Sequence, residues 1–150
     1  MVYNKILVPT DGSEVSLEAA KHAIEMAKAM NSRIYAIYVV DIVPFIGLPT
    51  EGLWESMKEI LEEEGNDALN KISHMAKDYN VDIKVEILEG NPVKEIVDYA
   101  ERKKVDLIVM GTTGKTGLDK LLLGSVAEKV TKKSHCPILL VKKYGSEESE

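Results

Sequence analysis

The sequence predicts a three-layer α/β domain, an open parallel sheet of five strands with helices on both faces. Three observations carry that prediction. Apolar, strand-like runs alternate with segments of helical period along the 150 residues. Residues 34–40, Ile34-Tyr-Ala-Ile-Tyr-Val-Val40, are apolar without a break, as strands buried on both faces are. A glycine-punctuated stretch, Gly111-Thr-Thr-Gly-Lys-Thr-Gly-Leu-Asp-Lys-Leu-Leu-Leu-Gly-Ser125, then lies between another apolar run (105–110) and a helical segment.

Taken in order, Lys5-Ile-Leu-Val8 is the first strand, and Pro9, Thr10, Asp11 and Gly12 end it. Ser13 offers an oxygen to cap the helix that follows. That helix runs to about Met30, with Leu17, Ala20, Ile24 and Ala27 at steps of three and four. Residues 33–40 are the second strand. Residues 41–52 read as a loop rich in apolar groups, Val43, Phe45, Ile46 and Leu48, expected to fold over the sheet edge or a partner chain. A long helix follows from about 53 to 79, on Met57, Leu61, Gly65, Ala68, Ile72, Met75 and Tyr79. Gly65 is expected to bend or weaken it.

Val81, Ile83, Val85 and Ile87 alternate with polar residues, the period of an edge strand with one wetter face. Asn91-Pro92 is a helix start, a cap and then proline at the first position. Val93, Ile96, Val97 and Ala100 line the buried side of that helix. The fourth strand, the glycine stretch and a helix at 125–133 come next. Pro137-Ile-Leu-Leu-Val141 is the fifth strand. One domain is expected over residues 1–143, with a polar tail at 144–150.

Composition narrows the partners. A net charge of −6 argues against nucleic acid, whose phosphates are met by clustered Lys and Arg. It leaves room for one nucleotide, held by backbone amides and a helix dipole. A single cysteine, Cys136, excludes an internal disulfide and suits a reducing cytosol. No stretch approaches the roughly 20 apolar residues of a membrane helix. The opening residues read as a strand rather than a signal peptide, so the expected location is cytoplasmic.

Two strands end in loops built for a ligand, the first at Pro9, Thr10 and Asp11, the fourth at Met110 and Gly111. Ligands of open α/β sheets sit at the carboxyl ends of strands where the winding reverses. If those loops share a ligand, the first and fourth strands are neighbours, and the order 3-2-1-4-5 follows with right-handed crossovers. Bare amides ahead of a helix favour an anion, typically phosphate, so the stretch reads as a nucleotide site. Gly114-Lys115-Thr116 mimics a Walker A ending, but that motif needs glycine at 109, where valine stands.

Plainer readings stand beside these. The glycines can serve turns alone, and Asp11 can be a turn or helix-entry residue. Lys115, Thr116 and Lys120 suit a solvated loop. His22 and His74 lack partners at metal-ligand spacing. Cys136 reads as a packed thiol before the last strand, and Trp54 and Phe45 as packing or interface residues.

Gly111-x2-Gly114-x9-Gly124-Ser125, after a first strand ending Val8-Pro-Thr-Asp11, resembles the universal stress protein family. The resemblance extends to about Lys142 and includes Val39-Val40-Asp41 and Cys136-Pro-Ile-Leu-Leu-Val141. It implies a Rossmann-like fold of the adenine nucleotide alpha hydrolase-like type and a stress-associated regulator of the ATP-binding branch. ATP is expected with Mg²⁺ or Mn²⁺. A homodimer through Pro137-Ile-Leu-Leu-Val141 and an unidentified protein partner are also implied. By the family's pattern Asp11 faces the ribose or a nearby metal, and Val39 meets adenine with its backbone. Gly111, Gly114, Gly124, Ser125 and Val126 surround ribose and phosphates, with Pro9, Thr10 and Met110 completing the site. Ala127 stands where many relatives carry a hydroxyl.

An enzyme that cleaves ATP or transfers its phosphoryl or nucleotidyl group is the alternative to a regulator. Phosphoryl transfer needs a group that orients the nucleophile, and residues 111–125 offer only Asp119. No catalytic residue is assigned. An interaction module with an empty site is the third reading.

Overall fold

The computed structural model, which describes residues 3–42, 51–113 and 123–143, alternates strand and helix from end to end. The elements are β1 (Lys5–Thr10), α1 (Glu14–Met30), β2 (Arg33–Asp41), α2 (Glu51–Asp78) and β3 (Asp82–Gly90), then α3 (Pro92–Arg102), β4 (Leu107–Gly111), α4 (Ser125–Lys133) and β5 (Ile138–Val141). All strand pairs are parallel, in the order β3-β2-β1-β4-β5. This is the order expected from the two ligand loops.

Alternation along each strand sends successive side chains to opposite faces. Ile6, Val8, Ile34 and Ala36 pack with Ala20 and Ile24 of α1 and Leu69 and Ile72 of α2. Leu7, Tyr35, Ile37 and Ile108 pack on the other face with Ile96 and Tyr99 of α3 and Val130 of α4. Two apolar cores around one sheet make the three layers. The helix ends follow the sequence signals. Ser13 caps α1 by accepting from the Ser16 N–H, and Asn91 caps α3 by accepting from Lys94. Asn31 ends α1 in the left-handed conformation, φ 58°.

Three expectations are corrected. Pro9 does not end β1 but lies inside it, paired with Ile37. The second strand continues to Asp41, and α2 starts at Glu51, so the expected loop is shorter at both ends; Val43, Phe45, Ile46 and Leu48 lie outside the described residues. And α2 runs unbroken through Gly65. A Cβ there would stand 2.6 Å from Cδ1 of Tyr38, so the glycine answers a close approach to the sheet.

The first strand is pinned at its start. Asp106 Oδ2 accepts the backbone N–H groups of Asn4 and Lys5, each at 2.9 Å, and the Asp106 N–H donates to the Lys5 carbonyl. No helix among the described residues is long and apolar enough to cross a membrane.

Candidate functional site

The site begins with a missing donor. Lys5 gives its carbonyl to Asp106 at the β4 side, so by alternation Leu7 and Pro9 also turn their backbone polar groups toward β4. Proline has no N–H to give, and β1 pairs with β4 at Ile6–Leu107 and Leu7–Ile108. Beyond that point no ladder pair joins β1 to β4, at the switch point where an open α/β sheet is expected to leave a crevice.

A cavity of about 510 Å³ fills the crevice. From β1 come Pro9 and Thr10, with Asp11 just beyond, and from β2 comes Val39. Met110 and Gly111 end β4 against it, and Gly124, Ser125 and Val126 close it at the start of α4. Nine of the ten residues singled out in the sequence thus line one cavity. The tenth, Gly114, lies outside the described residues, as do Lys115, Thr116, Asp119 and Lys120.

Hydroxyls and one carboxylate hold the turn between β1 and α1. Asp11 Oδ1 accepts the Ser13 N–H at 3.0 Å, and Thr10 Oγ1 accepts the Gly12 N–H at 3.1 Å. Ser16 Oγ donates to the Ser13 carbonyl, which leaves Thr10 to donate to Ser16 across 2.8 Å. Gly12 sits at φ 85°, a conformation that favours glycine.

At the opposite wall, Gly124 occupies the cap position of α4 and brings no side-chain cap. The amides of Ser125, Val126 and Ala127 therefore have no helical acceptor, and the dipole adds positive potential at the same end. The ends of the intervening stretch are tied together. The Gly124 N–H donates to the Thr112 carbonyl at 2.7 Å, and the Thr112 N–H to that of Val141 at 3.0 Å. Gly111 has a packing reason of its own, since a Cβ there would meet Val15 Cγ2 of α1 at 3.0 Å.

Sequence reasoning missed several walls. Ile37 lies two residues before Val39 on the same strand face, so period two could have found it. Pro92 and Ile96 line the slot from the first two turns of α3, Ser16 stands behind Thr10, and Asp41, Thr112 and Thr113 also contribute. Tyr38 and Leu61 come from the α2 side, which no local pattern announces. Burial, and then the nearby Glu64 carboxylate, push the Tyr38 hydroxyl up to about 12. The arrangement combines an apolar slot with a rim of amides, hydroxyls and carboxylates. Outside it, His74 is exposed and the His22 ring lies 3.0 Å from the Glu18 carbonyl of its own helix. Cys136 is half-buried beside Ser134.

An open parallel sheet with a cavity of this make-up at its reversal point defines a Rossmann-like α/β domain. The chain belongs to the universal stress protein family, whose model matches residues 2–142. It is 63% identical over 146 residues to the universal stress protein MJ0531 of Methanocaldococcus jannaschii, covering 97% of this chain and 86% of that one. The solved structure of the hypothetical protein MJ0577, from the same organism, is similar with a TM-score of 0.86 and 37% identity, covering 97% of this chain and 100% of that one. A universal stress protein solved in complex with cAMP is similar with a TM-score of 0.66 and 28% identity, covering 95% and 98%.

Proposed function

We propose that this chain is a nucleotide-binding regulator: it holds ATP with Mg²⁺ in the cavity between β1 and β4, acts as a homodimer, and changes conformation or protein partner with nucleotide state. The observation that carries the reading is the joining of an apolar slot and an uncapped helix N-terminus in one cavity. A base fits the slot between Val39, Ile96 and Met110, and phosphates fit the amides of α4. The relative solved with cAMP supports an adenine nucleotide. The matching of Asp11, Val39, Gly111, Gly124, Ser125 and Val126 to the family's pattern supports the same assignment, and Gly114 joins it by that pattern alone.

Mg²⁺ takes one or two carboxylates together with phosphate oxygens rather than a full protein cage. Asp11 and Asp41 on the cavity wall fit that demand. Among the described residues no group of three or more His, Cys, Asp or Glu is arranged to hold a metal without the nucleotide. The cytoplasm suits this reading, since it supplies ATP and keeps one thiol reduced.

Mass spectrometry of nucleotide released from the purified, denatured protein tests the proposal. Intact ATP is the expected result. ADP would instead indicate turnover, and a chain that carries no nucleotide and binds no added ATP would overturn the reading.

A further inference from the structure

Neighbouring residues of β2 serve opposite layers. Val39 and Ile37 pack with α3 and α4, whereas Tyr38 packs with α1 and α2. All three nevertheless line the same cavity, and so does Leu61 of α2. The cavity therefore reaches over the carboxyl edge of the sheet into the α2 layer.

Tyr38 is 4% exposed and sits directly beneath that helix. A Cβ on Gly65 would fall 2.6 Å from Cδ1 and 2.9 Å from Cγ of its ring, so the helix backbone rests directly against the ring. On the preceding residue, Glu64 Oε1 accepts the Tyr38 hydroxyl at 3.2 Å. The ring is thus held to α2 at two points, and the residue that carries it also lines the cavity. Packed interiors transmit such a displacement rather than absorb it. A second cavity, about 310 Å³, borders residues 64–71 of α2 on the side of α1 and the turn before it.

We infer that Tyr38 is a positioning residue that couples occupancy of the nucleotide cavity to the seating of α2, through Gly65 and Glu64. The inference rests on the nucleotide reading above. A ligand packed against Tyr38 and Leu61 fixes ring and helix together, and anything that moves α2 at Gly65 moves a wall of the site. Linkage requires the two binding effects to be reciprocal.

The test pairs calorimetry of ATP–Mg²⁺ binding with hydrogen exchange of residues 51–65, with and without ATP, in wild type, Tyr38→Phe and Gly65→Ala. In wild type ATP is expected to slow exchange in this half of α2 severalfold. Tyr38→Phe, which loses the bond to Glu64, should show less of that slowing. Gly65→Ala should weaken ATP binding by about five- to fiftyfold, within the usual span of coupling between sites. If Gly65→Ala does not fold, Tyr38→Phe decides alone. A contact that is only structural would change exchange equally with and without ATP, and that result overturns the coupling. ATP binding with unchanged α2 exchange in wild type also overturns it and leaves the nucleotide reading standing. Absence of ATP binding in wild type overturns that reading, and the coupling falls with it.

Discussion

Asp11 Oδ1 accepts the backbone N–H of Ser13 at 3.0 Å, so one side of this carboxylate serves the turn into α1 while the residue lines the cavity. The turn and ligand readings of Asp11 are therefore compatible, and one substitution separates their contributions. Asparagine keeps a carbonyl oxygen for Ser13 and removes the charge. Asp11→Asn should leave the melting temperature nearly unchanged while ATP affinity falls about ten- to hundredfold, the equivalent of a lost charged hydrogen bond at about 1.5–3 kcal/mol. Wild-type affinity in the presence of Mg²⁺ would remove Asp11 from the site.

Gly65→Ala should carry the opposite sign to its helix propensity. In an exposed helix interior alanine gains about 1 kcal/mol over glycine. Here the added methyl group meets the Tyr38 ring, and overpacking costs about 1–3 kcal/mol. Urea denaturation should show a lower midpoint, and a stabilised variant would mean that the ring yields freely.

Asp106 holds two N–H groups of the opening residues, at Asn4 and Lys5, about a hundred positions away in the chain. Asp106→Ala leaves both without that acceptor and should cost about 1.5–3 kcal/mol. Asp106→Asn retains an oxygen there and should recover part of the loss. Equal denaturation midpoints for the alanine variant and wild type would mean that water replaces the carboxylate without cost.

What the sequence made legible divides along the range of the interactions. Strand and helix identities, the Ser13 and Asn91 caps and the strand order came from local signals and one topological rule. Pro9 was misplaced because proline usually ends a strand, whereas here its missing N–H faces the side on which the ladder with β4 has already stopped. Gly65 looked like a weakness in a helix because its reason, the ring of Tyr38, is 27 residues away in sequence. Ser16, Tyr38 and Leu61 were missed as cavity walls for the same cause. Their roles depend on how α1 and α2 lie on the sheet, which periodicity does not encode. Gly111 was read as a ligand or turn glycine, while the structure also requires it beneath Val15.

Alkaline pH should expose the buried phenols. Tyr38 is pushed up to about 12 from 10.0, first by burial and then by Glu64, and burial raises Tyr99 as well, with Glu86 adding to it. A phenol is neutral when protonated, so a raised folded pKa stabilises the fold fully below about pH 10. That contribution is lost as pH climbs from about 10 toward about 12. Tyrosinate absorbance of the folded protein should include a late component from Tyr38 and Tyr99. Denaturation midpoints should fall across the same window, and less steeply in Tyr38→Phe. Tyrosinate absorbance complete near pH 10 in the folded protein, with no late component, would contradict this.

Assembly through β5 has a sharper test than its mass alone. The sheet has two edges, and they differ in character. Asp82, Lys84, Glu86 and Glu89 charge β3, a usual protection against pairing, whereas β5 is Ile-Leu-Leu-Val with Leu139 37% exposed. An apolar edge of this kind suits a second copy, and two-fold pairing closes the interface. Light scattering should give about twice the 16.6 kDa of one chain. Leu139→Lys places a charge on that edge and should yield single chains at concentrations where wild type is paired. ATP affinity should survive in the variant, because the cavity of one chain is lined from β1, β2, β4 and α1 to α4, without β5. A single-chain mass for wild type well above micromolar concentration would rule the dimer out. Loss of dimer and ATP binding together would show instead that the second copy completes the site.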